Sequence, residues 1–227
     1  MKQIVTNAVV LRRINYQEAD RIITLLTSNN GKITAMARGV RKANSKLAGS
    51  IELFGTSQVT FLPSKGEINT LISARLIKNY GNIVKNFNKT QLGYEVLKLI
   101  NKSIESNSDE AIYDLVVDTL EFLNDEAIDI NLTKFWFSLR FLILMGHSPN
   151  LSVEDSDENH KYNFSLDSMS FVVDGEGLYS KNHIKLLRLA LVNNPVNLSK
   201  INNLDKIVEK NLDITRLMFI GTGFNPI

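Results

Sequence analysis

The sequence predicts an α+β chain in two parts, a small β-barrel followed by an α-helical domain, and three observations carry this. The apolar period is two through the first 80 residues and changes to about 3.6 after Tyr80. Turn signals punctuate the first part, as in Ser28, Asn29, Asn30, Gly31 and again in Pro63, Ser64, Lys65, Gly66. With 227 residues and 44% hydrophobic content, the chain can fill the core of one large domain or of two small ones.

The elements follow in order. Val5, Val9 and Leu11 alternate with Thr6, Ala8 and Val10, so both faces of the first run are fairly apolar, as in a strand of a closed barrel. A second run covers Arg21 to Thr27. After the turn, Ile33, Ala35 and Ala37 alternate with Lys32, Thr34, Met36 and Arg38, predicting a hairpin with one wet, basic face. Val59 and Phe61 alternate with Gln58 and Thr60, and Ile68, Thr70, Ile72 and Ala74 with Asn69, Leu71, Ser73 and Arg75. Five short strands in residues 1–80 with a long mid-sequence connection fit an oligonucleotide/oligosaccharide-binding (OB) barrel best, while an SH3-like barrel has similar arithmetic that periodicity alone does not separate. In residues 81–227, Leu92, Val96, Leu99 and Ile100 form a helical stripe opened by Asn88 as N-cap with Gln91 three residues on. Ile112, Leu115, Val116, Leu120 and Leu123 form a second, started by Ser108, Asp109 and Glu110. Thr133 to Met145, with Phe135, Trp136 and Phe141, is apolar nearly all round and predicts a buried central helix stopped by Gly146 and Pro149. An insertion near 152–180 breaks the pattern, with a β-like run at Met169 to Val173. Helical spacing resumes at Ile184, Leu187, Leu191 and again at Ile207, Leu212.

Charge divides the same way. Residues 1–80 carry twelve Lys and Arg against Glu18, Asp20, Glu52 and Glu67, a net of +8, while the remainder is −6. A basic module of this kind suits nucleic-acid phosphates. The connection after the third strand holds Arg38, Arg41, Lys42 and Lys46 within nine residues, spaced by Gly39, Ala43, Asn44 and Ser45, and reads as a flexible basic loop. It is the first candidate for DNA contact, because affinity without sequence preference comes from phosphate neutralisation and counterion release. Lys32, Arg13 and Arg75 are lesser candidates on strands. Tyr16 and Phe54 are possible stacking platforms, although Phe54 and Phe61 sit in apolar contexts that favour the core, as does Trp136.

The absence of Cys excludes disulfides, thiol nucleophiles and thiolate zinc sites. The composition excludes overall disorder and low-complexity classes, and no apolar run approaches the roughly 18 residues of a membrane span. The N-terminus lacks an apolar signal-peptide core, so a cytoplasmic location is expected. No catalytic constellation is evident. His147, His160 and His183 are scattered, no G-x-S-x-G or G-K-[ST] loop occurs, Asp155 and Asp157 lie in a polar loop, and Glu18 and Asp20 flank a turn beside Arg21, where they cap or pair.

Tyr16, Glu18, Asp20, Arg21, Thr27, Gly31, Lys32, Ala37, Gly39, Arg41, Lys42 and Ser45, with Phe54 and Ala74 beyond them, fall at the spacing of a known signature. In this the segment resembles the N-terminal domain of the bacterial RecO family of DNA repair and recombination mediators. Gly146, Pro149, Asn150 and Leu151 resemble the family's helix end before its insertion. The resemblance implies an OB barrel followed by a helical domain and a role that is not enzymatic. That role is to bind single- and double-stranded DNA, anneal complementary strands and, with RecR, help RecA replace single-strand-binding protein. It also implies that the helical domain meets proteins, including the acidic, apolar-ended tail of single-strand-binding protein. Lys134, Arg140 and Arg188 are its candidate rim cations.

Many members of the family hold zinc with two CxxC pairs at the insertion. Here the corresponding positions are Glu154, Asp157, Ser180 and His183, a poor set for structural zinc, so no metal or other cofactor is expected. The alternative reading is a hard-ion site at Glu154, Asp155 and Asp157. At the level of function, the alternatives to a DNA mediator are an RNA- or ribosome-associated barrel protein and an enzyme, such as a nuclease, carrying an oligonucleotide-binding appendage.

Overall fold

A computed structural model describes residues 2–105, 110–153 and 160–227. The chain forms two compact units, Met1–Asn124 and Asp125–Ile227. In the first, β1 (Ile4–Tyr16), β2 (Asp20–Thr27), β3 (Gly31–Ala37), β4 (Gly55–Leu62) and β5 (Ile68–Asn79) close a barrel in the order β1-β2-β3-β5-β4. β1 runs antiparallel to both β2 and β4, and a short parallel pairing of β3 with β5 completes the ring. This order is that of the OB barrel and settles the choice against the SH3-like one.

Alternation builds the barrel core. Ala8 and Val10, Ile23 and Leu25, and Ala35 and Ala37 point inward two residues apart and meet Val40, Ile51, Val59 and Leu71. A bulge between Val10 and Arg12 bends β1 where it leaves β4 and continues along β2 toward that strand's start. Val9, paired with Leu26, and Leu11 are buried as well but lie outside that core. α1 (Phe87–Ser103) and α2 (Glu110–Asn124) pack on β1, and α2 also on β2, which accounts for the two-sided apolar character of this strand. The face of β3 expected to be wet and basic is instead half-buried at Lys32, Thr34 and Met36.

α1 opens at Asn86, two residues before the predicted Asn88. Asn86 has an extended backbone (φ −122°, ψ 123°), and its side chain accepts the Lys89 amide at 3.1 Å. Gln91 bonds Glu95 (3.0 Å) and takes no part in the cap. Phe54, 3% exposed, lies edge-on to Tyr94 (5.1 Å) and over Gly93, where a Cβ would stand 2.7 Å from its ring. Lys78 and Tyr80 both bond Glu121, and Asn82 donates twice to Asn124, from its amide to the side-chain oxygen at 2.9 Å and from its side chain to the carbonyl at 3.2 Å. These ties hold α2 to the end of β5. The change from strand to helix at Tyr80 therefore precedes the boundary between compact units. The predicted helix start at Ser108 and Asp109 lies outside the described residues.

In the second unit, α3 (Ile130–Leu144) is capped by Asp129, which accepts the Asn131 and Leu132 amides at 2.8 and 3.0 Å. It is buried nearly all round, as its composition predicts, and packs on α4 (Lys181–Val192), α5 (Pro195–Leu198) and α6 (Leu204–Ile220). Phe141 stacks on Phe137 and Phe219 at 5.9 and 6.0 Å, and Trp136 is core, its indole donating to the Asn193 carbonyl (2.9 Å). At the helix end, Gly146 (φ +88°) donates to the Ile143 carbonyl and His147 to that of Leu142, a left-handed stop that glycine favours. The insertion is a three-stranded sheet, β7-β6-β8, formed by β6 (Lys161–Ser165), β7 (Ser170–Val173) and β8 (Tyr179–Ser180). Only β7 was expected from the β-like run. Among the described residues, no helix is long and apolar enough to cross a membrane.

Candidate nucleic-acid interface

The β3–β4 connection is fixed at several points along its length. Gly39 adopts φ +65°, and its amide donates to Asp20 Oδ1 at 2.7 Å. The Arg41 amide donates to the Ala19 carbonyl (2.9 Å), and the Arg41 guanidinium to the Gln17 carbonyl (3.3 Å). Val40 and Ile51, 2% and 0% exposed, anchor the connection in the barrel core, with Leu47 and Ala48 packed beside them. Burial and hydrogen bonding thus staple this basic segment against the β1–β2 turn. Arg38, Arg41, Lys42 and Lys46 remain exposed on it. The β1–β2 loop is one that OB folds use for oligonucleotides, and the ties at Gly39 and Arg41 bring the start of the basic connection beside it. The glycine serves the left-handed turn, and Asp20 serves as its cap.

The other candidates have different surroundings. Lys32 places its ammonium on the Asn101 and Ile104 carbonyls, where α1 ends, at 2.9 Å from the first. Burial pushes its pKa down, with Glu105 opposing. It serves the helix end and is absent from the exposed cation group. Arg13 and Arg21 both bond the Glu52 carboxylate, and Arg21 Nε donates to Asn15 Oδ1 at 3.1 Å. Arg21 was missing from the candidate sites, and its pairing with Asn15 across the hairpin is the sequence signal for it. Arg75 is exposed on β5 opposite Gln58, with no bond to the connection among the described residues. Phe54 and Phe61 are both buried, and of the two candidate platforms only Tyr16, 42% exposed at the end of β1, is open to solvent.

In the second unit, both arginines proposed for the rim bond backbone carbonyls. Arg140 Nη1 donates to the Leu191 carbonyl (2.6 Å) in the last turn of α4, an acceptor that the helix itself leaves unfilled. Arg188 grips the Leu151 carbonyl through Nε and Nη2 at 3.2 and 2.6 Å. Both guanidiniums therefore face backbone, and Lys134 is half-buried on α3. Of the positions corresponding to the family's zinc ligands, Ser180 and His183 are engaged with each other. His183 Nδ1 accepts the Ser180 amide at 2.9 Å, closing a reciprocal cap at the start of α4. Burial holds the His183 pKa below its ordinary value, a hydrogen bond with the Ser180 backbone opposes this, and the Lys161 and Lys210 charges act in the same direction as burial. Glu154, Asp155 and Asp157 lie outside the described residues. Among those described, no three His, Asp or Glu side chains gather to hold a metal ion.

The family model described as Recombination protein O N terminal matches residues 1–80, the span of the barrel strands. Curated relatives extend the likeness. The DNA repair protein RecO of Desulfatibacillum aliphaticivorans is 33% identical over 154 residues, covering 66% of this chain and 60% of that protein. That of Dehalococcoides mccartyi is 34% identical over 147 residues, covering 64% and 57%. The chain thus spans about three fifths of these two proteins. The RecO of an Exiguobacterium species is 30% identical over 189 residues, covering 80% of this chain and 75% of the relative. A likeness sustained through barrel and helices alike establishes that this chain belongs to the RecO family of DNA repair proteins.

Proposed function

We propose that the chain is a DNA-binding recombination mediator without catalytic activity of its own. It binds single- and double-stranded DNA, anneals complementary strands and, together with RecR, helps RecA replace single-strand-binding protein, within the cytoplasm. The observation that carries this reading is the stapled β3–β4 connection, which holds Arg38, Arg41, Lys42 and Lys46 exposed beside the β1–β2 turn of a module of net charge +8. Flexible cations lose entropy when they bind, whereas cations on an anchored backbone have part of that ordering already built in. Arg75 adds a cation on β5.

The test is titration of a labelled oligonucleotide against the full chain at several salt concentrations. Contact with about four to six phosphates gives a slope of log K against log salt near −3 to −4, at roughly −0.7 per phosphate for single strands. A flat dependence contradicts the reading. Annealing of complementary strands and pull-down with RecR and with the tail peptide of single-strand-binding protein test the mediator role. RNA outcompeting DNA would favour the RNA-associated alternative.

A further inference from the structure

We propose that Arg13 and Arg21 form a phosphate-binding pair which Glu52 occupies in the free protein, so that its carboxylate competes with a nucleic-acid phosphodiester for the same two guanidiniums. This rests on the DNA-binding reading above and extends it to a site outside the basic connection.

The geometry is that of a bridged pair. One carboxylate oxygen of Glu52 accepts from Arg13 Nη1, and the other accepts from Arg21 Nη1 at 3.2 Å. A phosphodiester also offers two acceptor oxygens on one centre, and guanidinium donors suit both anions. The three side chains differ in how they are held. Arg13 and Arg21 are only 24% and 23% exposed, and Asn15 accepts Arg21 Nε at 3.1 Å. Glu52 is 49% exposed. Its backbone is fixed between Ile51 and Phe54, both buried, so the movable member of the cluster is its carboxylate arm. That arm can swing into water while both arginines stay in place.

Charge and position point the same way. Two cations share one anion, which leaves the cluster net positive and attracts the phosphate that takes the carboxylate's place. Arg21 stands opposite Ala37, the residue before Arg38, so the pair continues the basic connection onto the barrel wall. A lone anion must displace Glu52 by itself, whereas a strand already seated on Arg38, Arg41, Lys42 and Lys46 delivers its next phosphate at high local concentration. The carboxylate thereby selects polyanionic strands over isolated phosphates.

The experiment is oligonucleotide titration of the full chain carrying Glu52→Gln, beside Glu67→Gln, which makes the same charge change in the exposed β4–β5 turn. Glu52→Gln is expected to tighten binding about three- to tenfold, the scale of two exposed ion pairs, and Glu67→Gln by less than about twofold. The salt slope of Glu52→Gln steepens by about 0.7 for each phosphate gained. Glu52→Asp keeps the charge on an arm too short to bridge both arginines, and also tightens binding. In an Arg21→Gln background the gain from Glu52→Gln falls by at least about half, since coupled partners are not additive. Affinity of Glu52→Gln equal to or below that of the wild type, or no better than that of Glu67→Gln, overturns the proposal. Arg41→Glu/Lys42→Glu in the same titration separates the failures. If it loses affinity while Glu52→Gln gains none, this inference alone is lost. If it binds like the wild type, the DNA-binding reading is lost and this inference with it.

Discussion

A histidine at the third position of a helix is an unusual partner for a capping serine, and His183 can fill that place only while neutral. Its Nδ1 accepts the Ser180 amide, and a protonated ring has no acceptor to offer. Burial pushes the folded-state pKa below the ordinary 6.5 against an opposing hydrogen bond with the Ser180 backbone, and Lys161 and Lys210 add to the lowering. The unfolded chain therefore binds this proton at higher pH than the folded one. The contribution to stability is complete above about pH 6.5, declines as pH falls below it, and is gone below the folded-state pKa. Denaturant midpoints are expected to drop as pH falls below about 6.5, and the drop should shrink in His183→Gln. A midpoint that depends on pH identically in the two proteins would contradict the cap. The residue scale is also where sequence reading reaches its limit. Arg38, Arg41, Lys42 and Lys46 were legible because they are neighbours in the chain. Lys32 on the end of α1, and Glu52 between Arg13 and Arg21, depend on contacts across 31 to 72 residues that no local pattern encodes.

Among the elements, the barrel strands were legible because inward residues recur every second position and the turns carry Gly, Asn or Pro. β6 was not, since Lys161 to Ser165 offers only two apolar positions, Tyr162 and Phe164, too short an alternation to stand out, and its partners come from β7 and β8. The helix α1 was found by its stripe but opened at the wrong asparagine, because Asn86 and Asn88 differ only in backbone conformation. Its packing gives a direct prediction. A Cβ on Gly93 would meet the Phe54 ring at 2.7 Å, and Phe54, at φ +58° with a buried ring, has little freedom to retreat. Gly93→Ala should destabilise the chain by about 1–3 kcal/mol, although alanine is the better helix former. Gly49→Ala, with open space around its Cβ, should stay within about 0.5 kcal/mol. Urea midpoints of the two variants check this, and equal midpoints would mean that α1 does not press on the barrel as described.

The whole molecule is polarised in sequence. The first 80 residues carry +8 and the remainder −6, and the helical unit spends two of its arginines on its own carbonyls. The proposed function accordingly assigns phosphate contact to the barrel module. The pair Arg41 and Lys42 lies exposed on its stapled connection, while Lys206 and Lys210 lie exposed on α6 of the other unit. Reversing either pair changes the net charge equally, so nonspecific attraction falls alike and only contact distinguishes them. The most direct measurement is single-stranded DNA affinity of Arg41→Glu/Lys42→Glu beside Lys206→Glu/Lys210→Glu at one salt concentration, with circular dichroism confirming that both fold. The first pair should weaken binding by about tenfold or more and flatten the salt slope, and the second by no more than about twofold. Equal losses in the two variants would contradict a DNA site on the barrel.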